Sequence, residues 1–454
     1  MSASKDMTEG PCLPLIFKFT MPLLLGNLLQ QTYSMIDAAI VGQYLGINAL
    51  ASVGASTSVV FLILGFCNGC CAGFGIPVAQ KFGARDYTTM RRFVATALKM
   101  AGVMSVLLGL VTAALSGMIL RQMSTPDIIF RDAYHYLAIT FIGIPCTFYY
   151  NLLSSIIRAL GDSKTPFWFL LLSTVLNVVL DLFCIIVLEW GVAGAAIATV
   201  VSQGVSALLC YAYMRRHFAI LRYEGEERRF SRPLARTLLS IGVPMGLQFS
   251  ITAIGSIMLQ SANNALGTVC VAAYTSALRI FMFFMCPFES LGIAMATYTG
   301  QNYGAGRPER IRQGVKASTV MMLIYSAFCM VVLYLCAEPL VRLFVDASET
   351  EILEKAAYFL HVNVSFYPAL GLLCILRYTI QGAGYTNFSM FSGVSEMIAR
   401  VLMSLLAVPV WGFAAVSIAD CIAWMSADLF LIPAFIYVYG RIRRIQPQVT
   451  DSRK

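Results

Sequence analysis

Two aspartates stand inside stretches that are otherwise apolar. Asp37 lies in Tyr33-Ser34-Met35-Ile36-Asp37-Ala38-Ala39-Ile40-Val41-Gly42, and Asp181 in Leu176-Asn177-Val178-Val179-Leu180-Asp181. An acid at the middle of a membrane helix costs about 2.5–3.5 kcal/mol on insertion scales, so it must face a partner or a watery cavity. Helical spacing gives each acid company. Gln30, Tyr33 and Asp37 follow at i, i+3 and i+7, and Asn177 and Asp181 at i and i+4, so each set shares one face. Two acids beside a carboxamide can hold a proton, because desolvation and a neighbouring like charge both favour a neutral carboxyl. They can equally hold a hard cation such as sodium, which takes oxygen ligands. The plainer alternative is that each aspartate only hydrogen-bonds a neighbouring helix.

The elements that carry these acids are membrane spans. The chain has 454 residues, of which 58% are hydrophobic and 12% charged, against about 25% charged in soluble domains. Apolar windows predict twelve spans, near 15-39, 57-80, 94-120, 133-157, 167-188, 191-214, 237-261, 279-300, 316-337, 355-378, 388-410 and 413-438. Basic residues gather in alternate connections: Lys81 to Lys99, Arg158 and Lys164, Arg215 to Arg236, Arg307 to Lys316, and Arg441 to Arg444. Such loops stay in the cytoplasm, which puts both termini inside and requires an even number of spans. The net charge of +9 is therefore a topology signal and does not point to nucleic acid.

The chain also repeats itself 221 positions on. Ala79-Gln80-Lys81-Phe82-Gly83-Ala84-Arg85 is echoed by Gly300-Gln301-Asn302-Tyr303-Gly304-Ala305-Gly306, and Trp190 to Ala198 by Trp411 to Ala419. The expected fold is an all-α polytopic membrane protein of twelve transmembrane helices in two six-helix lobes, related by a pseudo-twofold axis along the membrane normal. The expected boundaries are 1-214 for the N-terminal lobe, 215-236 for a cytoplasmic linker, 237-440 for the C-terminal lobe and 441-454 for a basic cytoplasmic tail.

Two such lobes make a cleft that can open to either side by rocking. No GxxxxGK[ST] phosphate loop and no soluble domain is available for ATP, so transport must draw on an ion gradient. Other charges have quieter readings. Glu396 and Arg400, at i and i+4, form a structural ion pair, and Arg377 snorkels to the cytoplasm. Glu289 has no evident local partner. Asp420 occupies the repeat position of Thr199, Asp428 follows two turns later, and either can line the second lobe's cavity. Thirteen cysteines and three histidines show neither zinc nor catalytic spacing, Cys67, Cys70 and Cys71 reading as helix packing. Neither an enzyme nor a passive channel is expected, and no cofactor.

Several segments together resemble the multidrug and toxic compound extrusion (MATE) family over nearly the whole chain. They are Pro22 with Asp37 to Gly42, Gln80 to Arg92, Arg158 to Pro166, Asn177 with Asp181, Trp190 to Ala198, and Gln301 to Gly306. The resemblance implies twelve helices in two lobes forming a V and export of cationic or amphipathic compounds in exchange for protons or sodium. Residue by residue, it implies a first-lobe cation site at Asp37, Asn177, Asp181 and Thr199, which is also the possible sodium site, with substrate contacts at Gln30, Tyr33, Tyr136 and Asn151. In the second lobe Met258 stands opposite Asp37 in the repeat, leaving Gln248, Glu289 and Asp420 as candidates. The implied partners are small-molecule substrates and the lipid bilayer, and the protein is expected to be a monomer. A related alternative, a flippase for lipid-linked saccharides, would need several basic residues lining the cleft to grip pyrophosphate.

Overall fold

The structure, a computed structural model, describes residues 5–123 and 125–451, with side chains to residue 444. Residues 1–4 and 452–454, the outermost parts of the expected lobe and tail, lie outside the described residues. Every regular element among those described is helical: α1 (Cys12–Leu45), α2 (Ile47–Gly83), α3 (Tyr87–Gln122), α4 (Asp127–Ile142), α5 (Ile144–Ala159), α6 (Lys164–Leu182) and α7 (Gly191–His217) in the first half. The second half holds α8 (Arg232–Asn264), α9 (Thr268–Gly304), α10 (Pro308–Val341), α11 (Thr350–Ser365), α12 (Tyr367–Gly382), α13 (Thr386–Leu402), α14 (Val408–Trp411) and α15 (Phe413–Asp451). Ten helices among the described residues are long and apolar enough to cross a membrane, and twelve spans result if each of two bent pairs counts as one.

Two of the twelve expected spans are bent. The fourth breaks by 46° between α4 and α5, and the tenth by 52° between α11 and α12. Pro145 and Pro368 sit at the start of the second helix in each pair. A proline cannot donate to the preceding turn and clashes with its carbonyl, so the helix restarts there on a new axis.

The internal repeat survives in the backbone. α2 and α9 both run 37 residues, each preceded by a left-handed glycine, Gly46 with φ 85° and Gly267 with φ 99°. A side chain at either position would meet the following carbonyl, so glycine ends one span and aims the next. A π-helical turn follows α6 (Phe183–Val187), and another follows α13 (Met403–Ala407). α15 runs on through most of the expected tail, to Asp451.

By internal contacts the chain forms two compact units. Unit 1 comprises Leu25–Gly246 with the residues up to Met7, and unit 2 comprises Thr8–Leu24 with the chain from Leu247 onward. The division differs from a cut at the linker, because α1 and α8 are each shared. Both are divided two residues after an internal proline, Pro22 or Pro244, where a lost backbone hydrogen bond lets one long helix serve two packing environments.

Unit 1 is built round a core in which Cys67, Cys70, Cys71 and Phe74 of α2 meet Phe148 and Leu152 of α5. The CxxCC cluster is thus packing, with Cys71 donating to the Phe148 carbonyl. The first half of α8 lies on α2 with no room for side chains: a Cβ on Gly73 would stand 2.6 Å from Gly242 Cα, and one on Gly69 2.5 Å from the Met245 carbonyl oxygen. Small residues four apart on both helices allow this backbone approach, as at many membrane helix interfaces.

The stretch 218–231, expected as a linker, is docked. Arg91 of α3 donates from Nε and Nη2 to the two oxygens of Glu227, at 2.6 and 2.8 Å, and Lys99 donates to the Arg228 carbonyl at 2.6 Å. Glu227 also accepts from the Glu224 amide, closing a short capped turn. The Arg91 guanidinium holds the Glu227 carboxyl below the usual glutamate range. That contribution is complete above the ordinary glutamate pKa and is lost as pH falls through the lowered folded value.

Two outcomes follow from these contacts. Gly73→Ala should cost about 1–3 kcal/mol by overpacking, while Gly440→Ala, with nothing within 4 Å, should cost nothing; thermal unfolding in detergent compares them. Arg91→Ala or Glu227→Ala should speed tryptic cutting at Arg222, Arg228 and Arg229 by about tenfold, and hydrogen exchange of residues 224–228 should rise only once the pH drops below the ordinary glutamate range.

Candidate functional site

α6 and α7 pack against each other in unit 1, and each offers polar side chains toward α1. Asn177 and Asp181 are buried, 2% and 0% exposed, one helical turn apart on α6. With its amide orientation assigned from the surrounding donors and acceptors, Asn177 donates to Asp181 Oδ2 at 2.8 Å and to Tyr33 Oη at 3.1 Å. Its oxygen accepts from Thr199 Oγ1 at 3.2 Å. Tyr33 Oη and Thr199 Oγ1 stand 3.3 Å apart, and Thr199 also reaches the Ala195 carbonyl of its own helix. Three helices are thereby tied through one carboxamide.

The side chains of Asp37 and Asp181 lie within electrostatic reach of each other. On each, the buried Oδ1 has no N–H or O–H donor. Two carboxylates held near each other in an apolar place repel unless a positive charge neutralises one of them. Tyr136 of α4 lies within electrostatic reach of both acids and packs on the apolar cluster of Ile40, Val41 and Val192 beside them. The π-helical turn directly after α6 widens the helix just beyond Asp181, a feature frequent at functional sites.

Four of the eight residues expected in the first lobe are thus joined by hydrogen bonds, Asn177, Asp181, Thr199 and Tyr33, and Asp37 lies within electrostatic reach of Tyr33 and Asp181. Tyr136 sits at their edge. Asn151 and Gln30 stand apart from this cluster. Asn151 donates to the Thr147 carbonyl one turn back, satisfying its amide within α5, and Gln30 is exposed; no hydrogen bond joins either to the cluster among the described residues.

The family model for MatE matches residues 22–183 and 241–406. The chain belongs to the MatE family. It is 32% identical over 383 residues to the probable multidrug resistance protein YpnP of Bacillus subtilis (strain 168), covering 84% of each chain. It is 28% identical over 435 residues to YoeA of the same organism, also a probable multidrug resistance protein, covering 93% of this chain and 91% of that one. Among solved structures, an outward-facing MATE family transporter of the MOP superfamily superposes with TM-score 0.87 at 23% identity, over 96% of this chain and 97% of the other. This MatE protein is accordingly a multi-pass membrane transporter and not an enzyme.

In unit 2 the MatE chain holds a different arrangement: the expected Glu396–Arg400 pair is present, while Arg377 departs from its expected place. Arg377 does not snorkel: it is 7% exposed, pairs with Glu396 and donates from Nε to Ser392 Oγ at 3.1 Å. Glu396 therefore has Arg377 as its main partner, and Arg400 reaches it only at 3.5 Å. Asp420 accepts from Arg400 Nε at 2.7 Å and is committed to an ion pair. The reason is packing that spacing along one helix cannot reveal, since α13 lies against both α12 and α15. Gln248 accepts from Gln381 Nε2 at 3.2 Å, outside the ion pairs, and Glu289 is exposed. The chain of arginines and acids across α12, α13 and α15 was not foreseen. Its signal was the presence of each charge in an apolar helix, which demands a partner somewhere.

Proposed function

We propose that this protein exports small cationic or amphipathic organic compounds by alternating access, in exchange for protons or sodium ions entering through unit 1. The observation that carries the reading is the facing pair Asp37 and Asp181, fixed by Asn177, Thr199 and Tyr33. Such a pair holds one positive charge, a proton or a sodium ion, and becomes doubly negative without it. In an apolar bundle that second state is costly, so occupancy of the pair biases the arrangement of α1 against α6 and α7. Asp37, Asn177, Asp181 and Thr199 are the coupling residues in this reading. Tyr33 and Tyr136, with Gln30 and Asn151 farther from the pair, are the candidates to meet substrate. Gln248, Glu289 and Asp420 belong to a secondary role in unit 2. The names of the Bacillus relatives support multidrug substrates.

No cofactor is required in this reading: for an uncharged compound one net charge crossing 100 mV contributes about 2.3 kcal/mol, roughly a fifty-fold gradient, and for a monovalent cation, where no net charge moves, the drive is the concentration gradient of the entering ion. The basic connections favour an inner or plasma membrane location with both termini cytoplasmic, and a single chain suffices as the working unit. Lipid-linked saccharide flipping is the weaker reading, because it needs unpaired basic groups for pyrophosphate, and Arg377 and Arg400 are both held by acids.

In vesicles carrying the purified protein, an inward proton or sodium gradient should drive export of a fluorescent organic cation. Asp37→Asn and Asp181→Asn should each lower that export by at least about tenfold while leaving the thermal midpoint close to the parent's. Gradient-driven export at the parent's rate by both variants sinks the proposal, and the ion whose removal stops transport identifies the coupling species.

A further inference from the structure

Unit 2 contains a buried charge network whose signs do not balance. Arg377 and Arg400 are its cations, and Glu396, Asp420 and Asp428 its acids, each less than a tenth exposed. Arg377 pairs with Glu396, and Arg400 with Asp420 and, more distantly, Glu396. Two acids are thus matched by two arginines, and Asp428 is left over. Its Oδ1 is buried and has no hydrogen-bond partner, although Arg377 acts on it electrostatically. A lone ionised carboxylate in such a place is strongly disfavoured unless a cation joins it.

The other charged groups round Asp428 do not supply one. From α12 come Arg377, already engaged, and the thiol of Cys374, which feels both Glu289 and Asp428. From α13 come Glu396 and Arg400, and from α15 itself Asp420. α9 offers Glu289, a further acid. On α11, His361 turns to the Leu333 carbonyl and Lys355 to Glu351. On α10, Tyr325 donates to the Phe284 carbonyl.

We infer that Asp428 is a proton-carrying group of unit 2, and that Arg377 is the cation whose pairing its charge decides. With a proton on Asp428, Arg377 stays on Glu396 and joins α12 to α13, the arrangement the structure holds. When the proton leaves to solvent, Asp428 competes for Arg377 and draws it toward α15, while Glu396 falls to Arg400. Loss of one proton thereby exchanges an α12–α13 tie for an α12–α15 tie, a two-state element of the kind that converts a local charge change into helix movement. The inference rests on the proposed ion-driven cycle for its purpose, though not for its chemistry.

Trp424, one turn before Asp428, is buried and stacked on Phe281 with ring centroids 6.1 Å apart, so it reports on this place. The full chain with Trp424 as sole tryptophan, through Trp168→Phe, Trp190→Phe and Trp411→Phe, is titrated in detergent while its emission is followed. A single transition is expected. Adding Asp428→Asn should abolish it, with emission fixed at the acid-form level, whereas Asp428→Glu should keep it with a displaced midpoint, and Asp37→Asn should leave it unchanged. Persistence of the transition in folded Asp428→Asn, its absence from the parent or from folded Asp428→Glu, or its loss in Asp37→Asn overturns the inference. So does a response that follows sodium in exchange for choline at fixed pH. Efflux by the same proteins separates the two ideas: an emission transition without gradient-driven export upholds the switch and sinks the antiport reading.

Discussion

A charge survives inside a membrane bundle only where something neutralises it, and this constraint orders the chemistry of the molecule. Unit 1 sets acid near acid, Asp37 and Asp181 acting on each other electrostatically, and in the proposed reading an added positive charge neutralises them. Everything near the pair supports that arrangement. Asn177 donates to Asp181, Thr199 and Tyr33 anchor Asn177 from α7 and α1, and the apolar cluster about Ile40 and Val192 excludes water on one side. A buried polar network is worth having only when its members are satisfied. Here the unsatisfied atoms are the Oδ1 oxygens of the two acids, the place at which the proposed exchange would put its ion.

Unit 2 meets the same constraint with acid against base. Arginine suits this role because its guanidinium stays charged and can serve two acceptors at once, as Arg400 does between Asp420 and Glu396. Such pairs hold helices in register more than they stabilise them, since desolvation offsets much of their attraction. The two units therefore share a plan of elements while differing in chemistry, unpaired acids in one and acids paired with arginines in the other.

What was legible in the sequence follows from the range of each interaction. Asp37, Asn177 and Asp181 could be picked out because a carboxyl or carboxamide among aliphatic neighbours is conspicuous, and because i, i+4 spacing fixes a shared face within one helix. The repeat was legible because it is a comparison of the chain with itself, and Gly46 with Gly267 shows it reaching down to a backbone dihedral. Arg377 was misread because its partner Glu396 lies on another helix, and periodicity along one helix says nothing about its neighbours. Asn151 was carried over by resemblance, yet its amide is satisfied by its own helix, as Asn and Ser side chains in spans often are. The bends at Pro145 and Pro368 had a local signal, which the search for long apolar windows passed over.

The repeat also explains why chemistry could diverge without disturbing the scaffold. Thr199 and Asp420 occupy equivalent positions, as do Asp37 and Met258, so the duplicated lattice of helices tolerates a hydroxyl, a carboxylate or a thioether at the same place. The backbone features that define the lattice, left-handed glycines, broken spans and π-helical turns, recur in both copies and do not depend on those side chains. A threonine at the first position completes a neutral network round Asn177. An aspartate at the second demands a cation, and Arg400 on the adjacent helix supplies it. Once that pair forms, Asp420 is committed to Arg400, whereas Asp428, two turns on along the same helix, has a buried oxygen with no hydrogen-bond partner.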